Sequence, residues 1–528
     1  MPGTTTSPFP RLEAYAEQPT TVRRWDRDAR MRALAKRPEA LAAGGIVLLY
    51  VVTRLLLLWR MPHFIDEATH AGWTYDAFHH PADRFESLTQ AKEPLLVWLA
   101  TGFMKLGASP LTAIRWVTFF AGLLTMTMVG LLGRRLGGNR LGLAAAGVYV
   151  LLPFALVHDV IGIMDPLVTA LVATALVLQL SLAERPRLDV ALGLGIVMAA
   201  AVLTKESGKV AAVLLPLSLL VFDWRGPARV RRLATWAGCA AIALALTGVG
   251  MLILHLSPLY SQMQALRSIP YAYPVRTVSS ALSHPFHWWG QSWHVYRPAL
   301  LGYVTVPLLI AFVAGAVVLL RTRRRLGLVL LAWVLVPFVA AALLPVHPYP
   351  RHILYIVPPV VAIGAFGGAW ILGYARSRVS PERRRALTVG LAVVALAPAV
   401  LFDLRVLASP SSTHYPANDD VQYVTGWESG SGLEPLAATL RRLTHGRPAL
   451  VAYTSGYSEA FRFLVDNPKL VYVDTSSPGA KLAAYLVEFP HAKEFPEFAE
   501  GGLLPSFRLV QTVHRPRSDL ALRLYARR

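Results

Sequence analysis

Cysteine is nearly missing from this sequence. Its 528 residues include one, Cys239, inside an apolar run. A lone thiol excludes an intrachain disulfide and any multi-cysteine metal site. Charge is scarce as well: Asp, Glu, Lys and Arg make up 16% of the chain, against about 25% in soluble domains. Hydrophobic residues reach 54% and the mean hydropathy is +0.45, so most of the chain is expected in lipid. Acidic residues are the scarcer sign, 31 against 52 Lys and Arg, for a net charge of +21. In a soluble protein that excess would point to nucleic acid. Here the basic residues fall in short clusters between apolar runs, so they read as topology signals and no nucleic-acid partner is expected. No internal repeat of fixed period is present. No small-residue cleavage site follows the first apolar run, so no cleavable signal peptide is expected.

What is present is a series of apolar runs long enough to cross a bilayer, which takes about 20 helical residues each. Eleven spans are predicted, near 41–60, 110–132, 140–158, 164–183, 187–204, 207–223, 233–256, 299–320, 326–345, 352–374 and 386–406. Residues 1–40, rich in arginine and with Pro2, Pro8, Pro10 and Pro19, predict a disordered or interfacial cytoplasmic tail. With the N-terminus inside, every inner loop is basic: Arg134/Arg135/Arg140, Arg185/Arg187, Arg225/Arg229/Arg231/Arg232, Arg321/Arg323/Arg324/Arg325 and Arg376/Arg378/Arg383/Arg384/Arg385. That alternation obeys the positive-inside rule. An odd number of spans then places the C-terminal segment outside. From about Ser409 the composition becomes soluble-like. Ala449–Tyr453, Leu470–Val473, Arg508–Thr512 and Leu520–Tyr525 predict strands, and Ser458–Val465 a helix. The expected fold is therefore a polytopic α-helical membrane domain, residues 41–408, followed by a small extracytoplasmic α/β domain, residues 409–528.

The outer loops collect the chemically varied residues. The first, from Met61, carries adjacent carboxylates Asp66 and Glu67 and ends on Lys92-Glu93-Pro94. Carboxylates at a membrane edge are costly and are usually functional. They can take a proton from a hydroxyl, and Asp66 and Glu67 are also where a divalent cation would sit. The bland alternative is that one of them N-caps a helix starting at Ala68. Pro94–Leu106 is apolar but too short to span, which predicts a helix lying in the interface. Further along come Asp159 beside His158, Asp165, the turn Lys205-Glu206-Ser207-Gly208-Lys209, an aromatic loop from Ser257 to Pro298, and a short loop with His347, Tyr349 and Arg351. Asp159 is expected only to cap its loop, Asp165 before Pro166 has a second reading as a helix N-cap, and Lys205 one as a snorkelling span-end lysine. The aromatic loop reads as an interface anchor, or as a lid over a lipid headgroup. His287, His294 and His347 are metal-type residues without a fixed ligand spacing.

Carboxylates and cations on one membrane face suit a substrate with a polar head and a lipid tail. A polyprenyl-phosphate sugar has that shape. Its phosphate leaves as a stable anion, so the reaction needs a base for the acceptor, from Asp66, Glu67 or Asp165. It also needs cations for the phosphate, from Lys205, Lys209 and Arg351. The order Asp66-Glu67, then Lys92 with Pro94-Leu95 and Trp98, then Ala113-Ile114-Arg115, resembles the GT-C fold glycosyltransferases of family 39. That family includes protein O-mannosyltransferases and bacterial lipid A aminoarabinose transferases. Asp165-Pro166-Leu167, Lys205 and Arg351-His352-Ile353-Leu354-Tyr355 with Pro358 match in order. The resemblance covers about 41–402. It implies a polyprenyl-phosphate sugar donor, inverting transfer, Asp66 as base, Asp165 as support and Lys205 near the donor phosphate. Lys92, Arg351, Tyr355 and His347 complete the expected substrate-binding set. The family often has an acidic residue before the lysine, whereas Ala91 precedes Lys92 here and Glu93 follows it.

The expected activity is glycosyl transfer to a hydroxyl of a protein, lipid or glycan acceptor at the outer face of the plasma membrane. Two alternatives stand beside it. A transporter or flippase of lipid-linked saccharides would place charges near the midplane and show inverted repeats, whereas these charges gather at one face. An assembly scaffold with the C-terminal domain as its binding module leaves Asp66-Glu67 and Lys205 without a role.

Overall fold

A computed structural model describes residues 38–269, 275–454, 458–490 and 502–528. The predicted N-terminal tail is outside these residues up to 37, and Tyr271 and Tyr273 of the aromatic loop also fall outside them. The chain divides into two units, Met1–Gly45, of which only the start of the first helix is described, and Ile46–Arg528, to which everything below belongs.

In chain order the helices are α1 (Pro38–Leu58), α2 (Ile65–His79), α3 (Leu95–Lys105), α4 (Pro110–Gly137), α5 (Asn139–Val150), α6 (Pro153–His158), α7 (Met164–Glu184), α8 (Leu188–Thr204) and α9 (Val210–Leu214). There follow α10 (Arg229–His255), α11 (Tyr260–Ser268), α12 (Val278–Ser283), α13 (Pro285–Ala299), α14 (Val306–Thr322), α15 (Arg324–Leu343), α16 (Val357–Ser377) and α17 (Arg384–Ala408). Eight helical stretches among the described residues are long and apolar enough to cross a membrane. Each coincides with a predicted span. The other three predicted spans, 140–158, 187–204 and 207–223, are built of shorter pieces. Pro153 separates α5 from α6, α8 has 17 residues, and the last is a 3₁₀ turn at Glu206–Lys209, the five-residue α9 and a 3₁₀ stretch through Pro216. Pro153 and Pro216 each remove a backbone donor where the first and the last of these spans are broken. The predicted interfacial helix is α3.

Helix α4 runs through the middle of the bundle, packed against α5, α7, α16, α3 and α2. Basic ends of neighbouring helices meet: Arg323 donates to the carbonyls of Arg135 and Leu136, and Arg232 to that of Glu184. The candidate site residues occupy the other end. Helices α14 and α16 cross at two glycines. A Cβ on Gly315 would strike the carbonyl of Ile363 and come within 3.0 Å of the Gly367 nitrogen. Close backbone approach through small residues is how helices associate where lipid competes for apolar surface.

Two buried ion pairs fix the site end. In α1, Arg54 has no exposure. It bonds Asp159 at 3.4 Å and the Val150 carbonyl at 2.7 Å, so Asp159, expected as a loop cap, is the counter-charge of an arginine inside the first span. Glu67, also fully buried, takes Arg115 of α4 in a fork, Nε at 2.5 Å and Nη2 at 2.7 Å. It accepts further hydrogen bonds from the backbone of Phe64 at 3.3 Å and Gly162 at 3.0 Å. Arg115 also donates to the carbonyls of Leu58 and Pro62. One carboxylate thus joins the end of α1, the start of α2, α4 and the loop before α7.

After α17 the chain returns to this end before forming its sheet. Ser429 bridges Phe64, Ile65 donates to the Glu428 carbonyl at 3.2 Å, and Gly430 donates to that of His63 at 2.5 Å. Then come α18 (Leu433–Thr444), β1 (Ala449–Tyr453), α19 (Ser458–Val465), β2 (Leu470–Asp474), β3 (Tyr485–Glu488), β4 (Phe507–His514) and β5 (Ala521–Arg527). The sheet order is β2-β1-β3-β5-β4, parallel over the first three strands and antiparallel at β3-β5-β4. Strand β3 was not expected from the sequence. Helix α19 lies on α2, with the Arg462 guanidinium 4.9 Å from the Tyr75 ring centre.

Burial raises the Glu67 carboxyl pKa, but Arg115 and His63 outweigh it and hold the group well below the usual carboxylate range. A depressed carboxyl contributes stability that is complete above its unfolded value of about 4.3 and is lost as pH falls below it. Glu67→Gln should therefore cost about 3–5 kcal/mol at neutral pH, the penalty for orphaning a buried partner. It should also flatten the acid limb of stability against pH, and an unchanged limb would show that the pair does not titrate with folding. Gly315→Leu should lower Tm in detergent, since overpacking costs about 1–3 kcal/mol. Gly373→Leu, at a position with nothing within 4 Å, should not.

Candidate active site

Asp66 and Glu67 are neighbours with opposite fates. Successive residues on a helix point about 100° apart. Glu67 turns into the protein and is consumed by Arg115, while Asp66 turns toward a polar recess and keeps 40% of its side-chain exposure. The Arg351 guanidinium reaches Asp66 Oδ2 at 3.0 Å, the one hydrogen bond to the Asp66 carboxylate among the described residues. Arg351 is itself buried. Its other arm donates to Gln422 Oε1 at 2.9 Å, and the guanidinium lies over the Tyr349 ring at 4.6 Å and the Phe64 ring at 5.0 Å. Two ring faces and an amide hold it in place for Asp66.

Asp165, buried at the first turn of α7, binds the Lys205 ammonium at 2.6 Å. Lys205 follows the end of α8 in extended backbone, which aims it back across the bundle. Lys92 comes from the turn before α3. Its ammonium has no hydrogen bond or ion pair among the described residues, yet it interacts electrostatically with Asp66, Lys205, Arg351 and Asp165. Burial first, and then the two neighbouring cations, lower its pKa against the pull of the carboxylates. Tyr355 is within electrostatic reach of Asp165. The recess thus gathers three cations, Lys92, Lys205 and Arg351, around two carboxylates, Asp66 and Asp165. One positive charge is left over for an anion.

Not every expected residue is there. His347 is exposed in its loop, and His352 takes the place near Lys205 and Asp165. Lys209 pairs with Glu206 at 2.9 Å and faces a separate cavity of about 320 Å³, shared with Glu93, Arg267 and Arg276. Glu93 turns to Arg267 at 2.8 Å and away from the recess. His287 and His294 are exposed on α13. The donor set does not suit a divalent cation at Asp66 and Glu67. Both Glu67 oxygens are filled by nitrogen donors, and Asp66 shares its carboxylate with a guanidinium. Among the described residues no three His, Cys, Asp or Glu cluster as metal ligands.

Two residues of the recess carried no sequence signal strong enough to be singled out. His70 lies one helical turn after Asp66, an i,i+4 spacing that puts both on one face. It is 4% exposed, and burial holds its imidazole down to about 4. Gln422 comes from beyond α17 and could not be placed without the fold. Beside it, Asp419 accepts from the Tyr303 hydroxyl at 2.8 Å and meets His158 at 3.5 Å, and burial pushes its carboxyl up to about 7.

The family model for dolichyl-phosphate-mannose-protein mannosyltransferases matches residues 90–252. No curated protein sequence matches the chain. Among solved structures, apo ArnT from Cupriavidus metallidurans superposes with a TM-score of 0.57 at 16% identity, covering 92% of this chain and 98% of that one. The same protein bound to undecaprenyl phosphate gives 0.55 at 14% identity, with the same two coverages of 92% and 98%. AglB, the oligosaccharyltransferase of Archaeoglobus fulgidus in complex with an inhibitory peptide and a dolichol-phosphate, gives 0.51 at 13% identity over 88% of this chain and 72% of that one. These neighbours extend over nearly the whole length, so the chain has the GT-C fold, and its resemblance to the mannosyltransferase family model is confined to residues 90–252.

Proposed function

We propose that the protein transfers a sugar from a polyprenyl-phosphate donor to an acceptor hydroxyl, with inversion, at the outer face of the plasma membrane. The observation that carries this reading is Asp66, a carboxylate with one oxygen open, facing a group of cations in excess. The donor phosphate docks on Lys92, whose ammonium has no carboxylate of its own, with Lys205 and Arg351 beside it. Asp165 keeps Lys205 in position. Asp66 accepts the proton of the acceptor hydroxyl as the oxygen attacks the anomeric carbon. The bond from that carbon to the phosphate oxygen breaks on the opposite side, its electron pair leaves with the phosphate, and the cations stabilise the growing charge. Structures of the same fold hold undecaprenyl phosphate and a dolichol-phosphate, which supports this donor class. The acceptor is a protein, lipid or glycan hydroxyl. In this reading 1–40 is cytoplasmic, 41–408 is the catalytic membrane domain and 409–528 is extracytoplasmic.

A direct assay with radiolabelled, defined polyprenyl-phosphate sugars tests the reaction. Asp66→Asn should lower turnover by roughly 10²–10⁴-fold, the usual contribution of a general base, while binding of the lipid phosphate persists. Lys92→Ala should raise KM for the donor more than it lowers kcat, and Lys92→Arg should recover part of the loss. Near wild-type transfer by Asp66→Asn would pass the base role to Asp165.

Topology is tested separately, in a Cys239→Ser background with a membrane-impermeant thiol reagent. Exposed Ser476→Cys should label in intact cells, and exposed Thr322→Cys only after permeabilisation. The reverse pattern would invert the orientation.

A further inference from the structure

His158, Asp419, Tyr303 and Tyr423 form a fully buried polar cluster that the mechanism above does not use. They come from three separate parts of the chain. His158 ends α6, Tyr303 lies in the π-helical turn Leu300–Thr305, and Asp419 and Tyr423 follow α17. The contacts between them are direct. The Tyr303 hydroxyl donates to Asp419 Oδ2 at 2.8 Å, and the same oxygen stands 3.5 Å from His158 Nε2. That nitrogen is 3.4 Å from the Tyr423 hydroxyl. His158 Nδ1 is 3.0 Å from the Phe154 carbonyl, which only accepts, so Nδ1 carries a hydrogen. Asp419 Oδ1 has no hydrogen-bond partner among the described residues.

This arrangement is one proton short if Asp419 is ionised. With the hydrogen on Nδ1, a neutral His158 turns the Nε2 lone pair toward a carboxylate that is sealed from water and holds a single donor. A buried charge with so few partners is costly. One proton, on the carboxyl or on Nε2, removes the conflict. Either way a hydrogen lies between Asp419 and His158, and the pair is neutral as a whole. The other charged or titratable groups that face the pair are Arg351 and Asp165, opposite in sign, and Tyr415. Asp159, next in sequence to His158, is taken by Arg54.

The cluster also stands behind the recess. Asp419 shares a helical turn with Gln422, whose backbone N–H donates to the Asn418 carbonyl at 2.9 Å. Gln422 Oε1 accepts from Arg351 at 2.9 Å, and Arg351 reaches Asp66 at 3.0 Å. The segment before Asp419 is pressed onto the turn that carries Tyr303, where a Cβ on Gly302 would come within 2.5 Å of Pro416 Cγ. Thr305, which closes that turn, has φ 71°, a value that a β-branched residue adopts only where its surroundings impose it.

We propose that Asp419 and His158 share one proton and that this proton seats residues 419–422, so that Gln422 holds Arg351 in place for Asp66. Asp419 is thereby a positioning residue of the site. Its effect on turnover rests on the glycosyl-transfer reading of the same recess. As pH rises, the proton leaves to solvent and Asp419 becomes an anion facing a lone pair. Burial pushes the Asp419 carboxyl up to about 7. A raised carboxyl contributes stability that is complete below its unfolded value and is lost as pH rises through the folded one.

The test uses the purified full-length protein in detergent. Tm is followed against pH, and transfer is measured from the polyprenyl-phosphate sugar that it turns over. From about pH 7 to about pH 9 the wild-type Tm should fall relative to that of Asp419→Asn, whose amide donates to His158 Nε2 and accepts from Tyr303 without titrating. Wild-type kcat should fall about tenfold over that range, and Asp419→Asn should lose little. At about pH 6, Asp419→Ala should lower kcat about tenfold or more with a smaller change in donor KM, and Asp419→Asn should recover most of that loss. Parallel Tm curves for the wild type and Asp419→Asn would overturn the shared proton. An alkaline fall in kcat as steep in Asp419→Asn as in the wild type would overturn its link to Arg351 and Asp66. Diverging Tm curves in a protein that transfers from no lipid-phosphate sugar would support the shared proton and overturn the glycosyl-transfer reading alone.

Discussion

The buried fork between Glu67 and Arg115 is the constraint on which the rest of the site depends. Withdrawing both charges from water is expensive, and the cost is offset only when the remaining donors and acceptors are also satisfied. Here they are. The backbone of Phe64 and Gly162 completes the carboxylate, and the carbonyls of Leu58 and Pro62 complete the guanidinium. Because these groups come from three separate stretches of chain, 58–67, Arg115 and Gly162, satisfying one ion pair fixes the start of α2 in direction and rotation. The next carboxylate back, Asp66, then has no freedom except to face the recess. Of two adjacent acidic residues, one holds the scaffold and the other is left for chemistry.

The recess has a second kind of order, in its charge balance. Asp165 neutralises Lys205 at 2.6 Å, and Arg351 is shared between Asp66 and Gln422. Lys92 has no such partner. An ammonium part-buried beside two other cations is poorly stabilised, so the recess favours negative charge. The Phe64 and Tyr349 rings beside Arg351 support that arrangement without adding any competing carboxylate.

The membrane architecture was legible because its signals are compositional and local. Apolar length marked the spans, the arginine clusters marked one set of helix ends, and α3 was evident as an apolar stretch too short to cross. Four of the five strands and α19 followed from residue pattern; β3, four residues between two turns, is too short to show a period. The carboxylates and cations of the recess were legible as a set, since each sits where a span ends. Their pairing was not. Nothing in the sequence says that Glu67 meets Arg115 rather than substrate, that Asp159 answers Arg54 in the first span, or that His352 and not His347 turns inward. Those outcomes depend on helix rotation, and a 100° step between neighbours reverses the fate of a side chain. His70 was visible only as an i,i+4 companion of Asp66, and Gln422 arrives from a segment some 70 residues past Arg351.

That last contact has a consequence for biogenesis. Every long apolar helix precedes residue 409, so a nascent chain can complete its membrane insertion while Gln422 and the strand-like bridge at Ser429 are still unmade. Until they thread back, Arg351 lacks the amide that steadies it and the chain before α2 lacks its cover. The protein is thus assembled in the bilayer before its recess is finished. A chain that ended before residue 422 would be fully inserted and would still lack the amide that steadies Arg351.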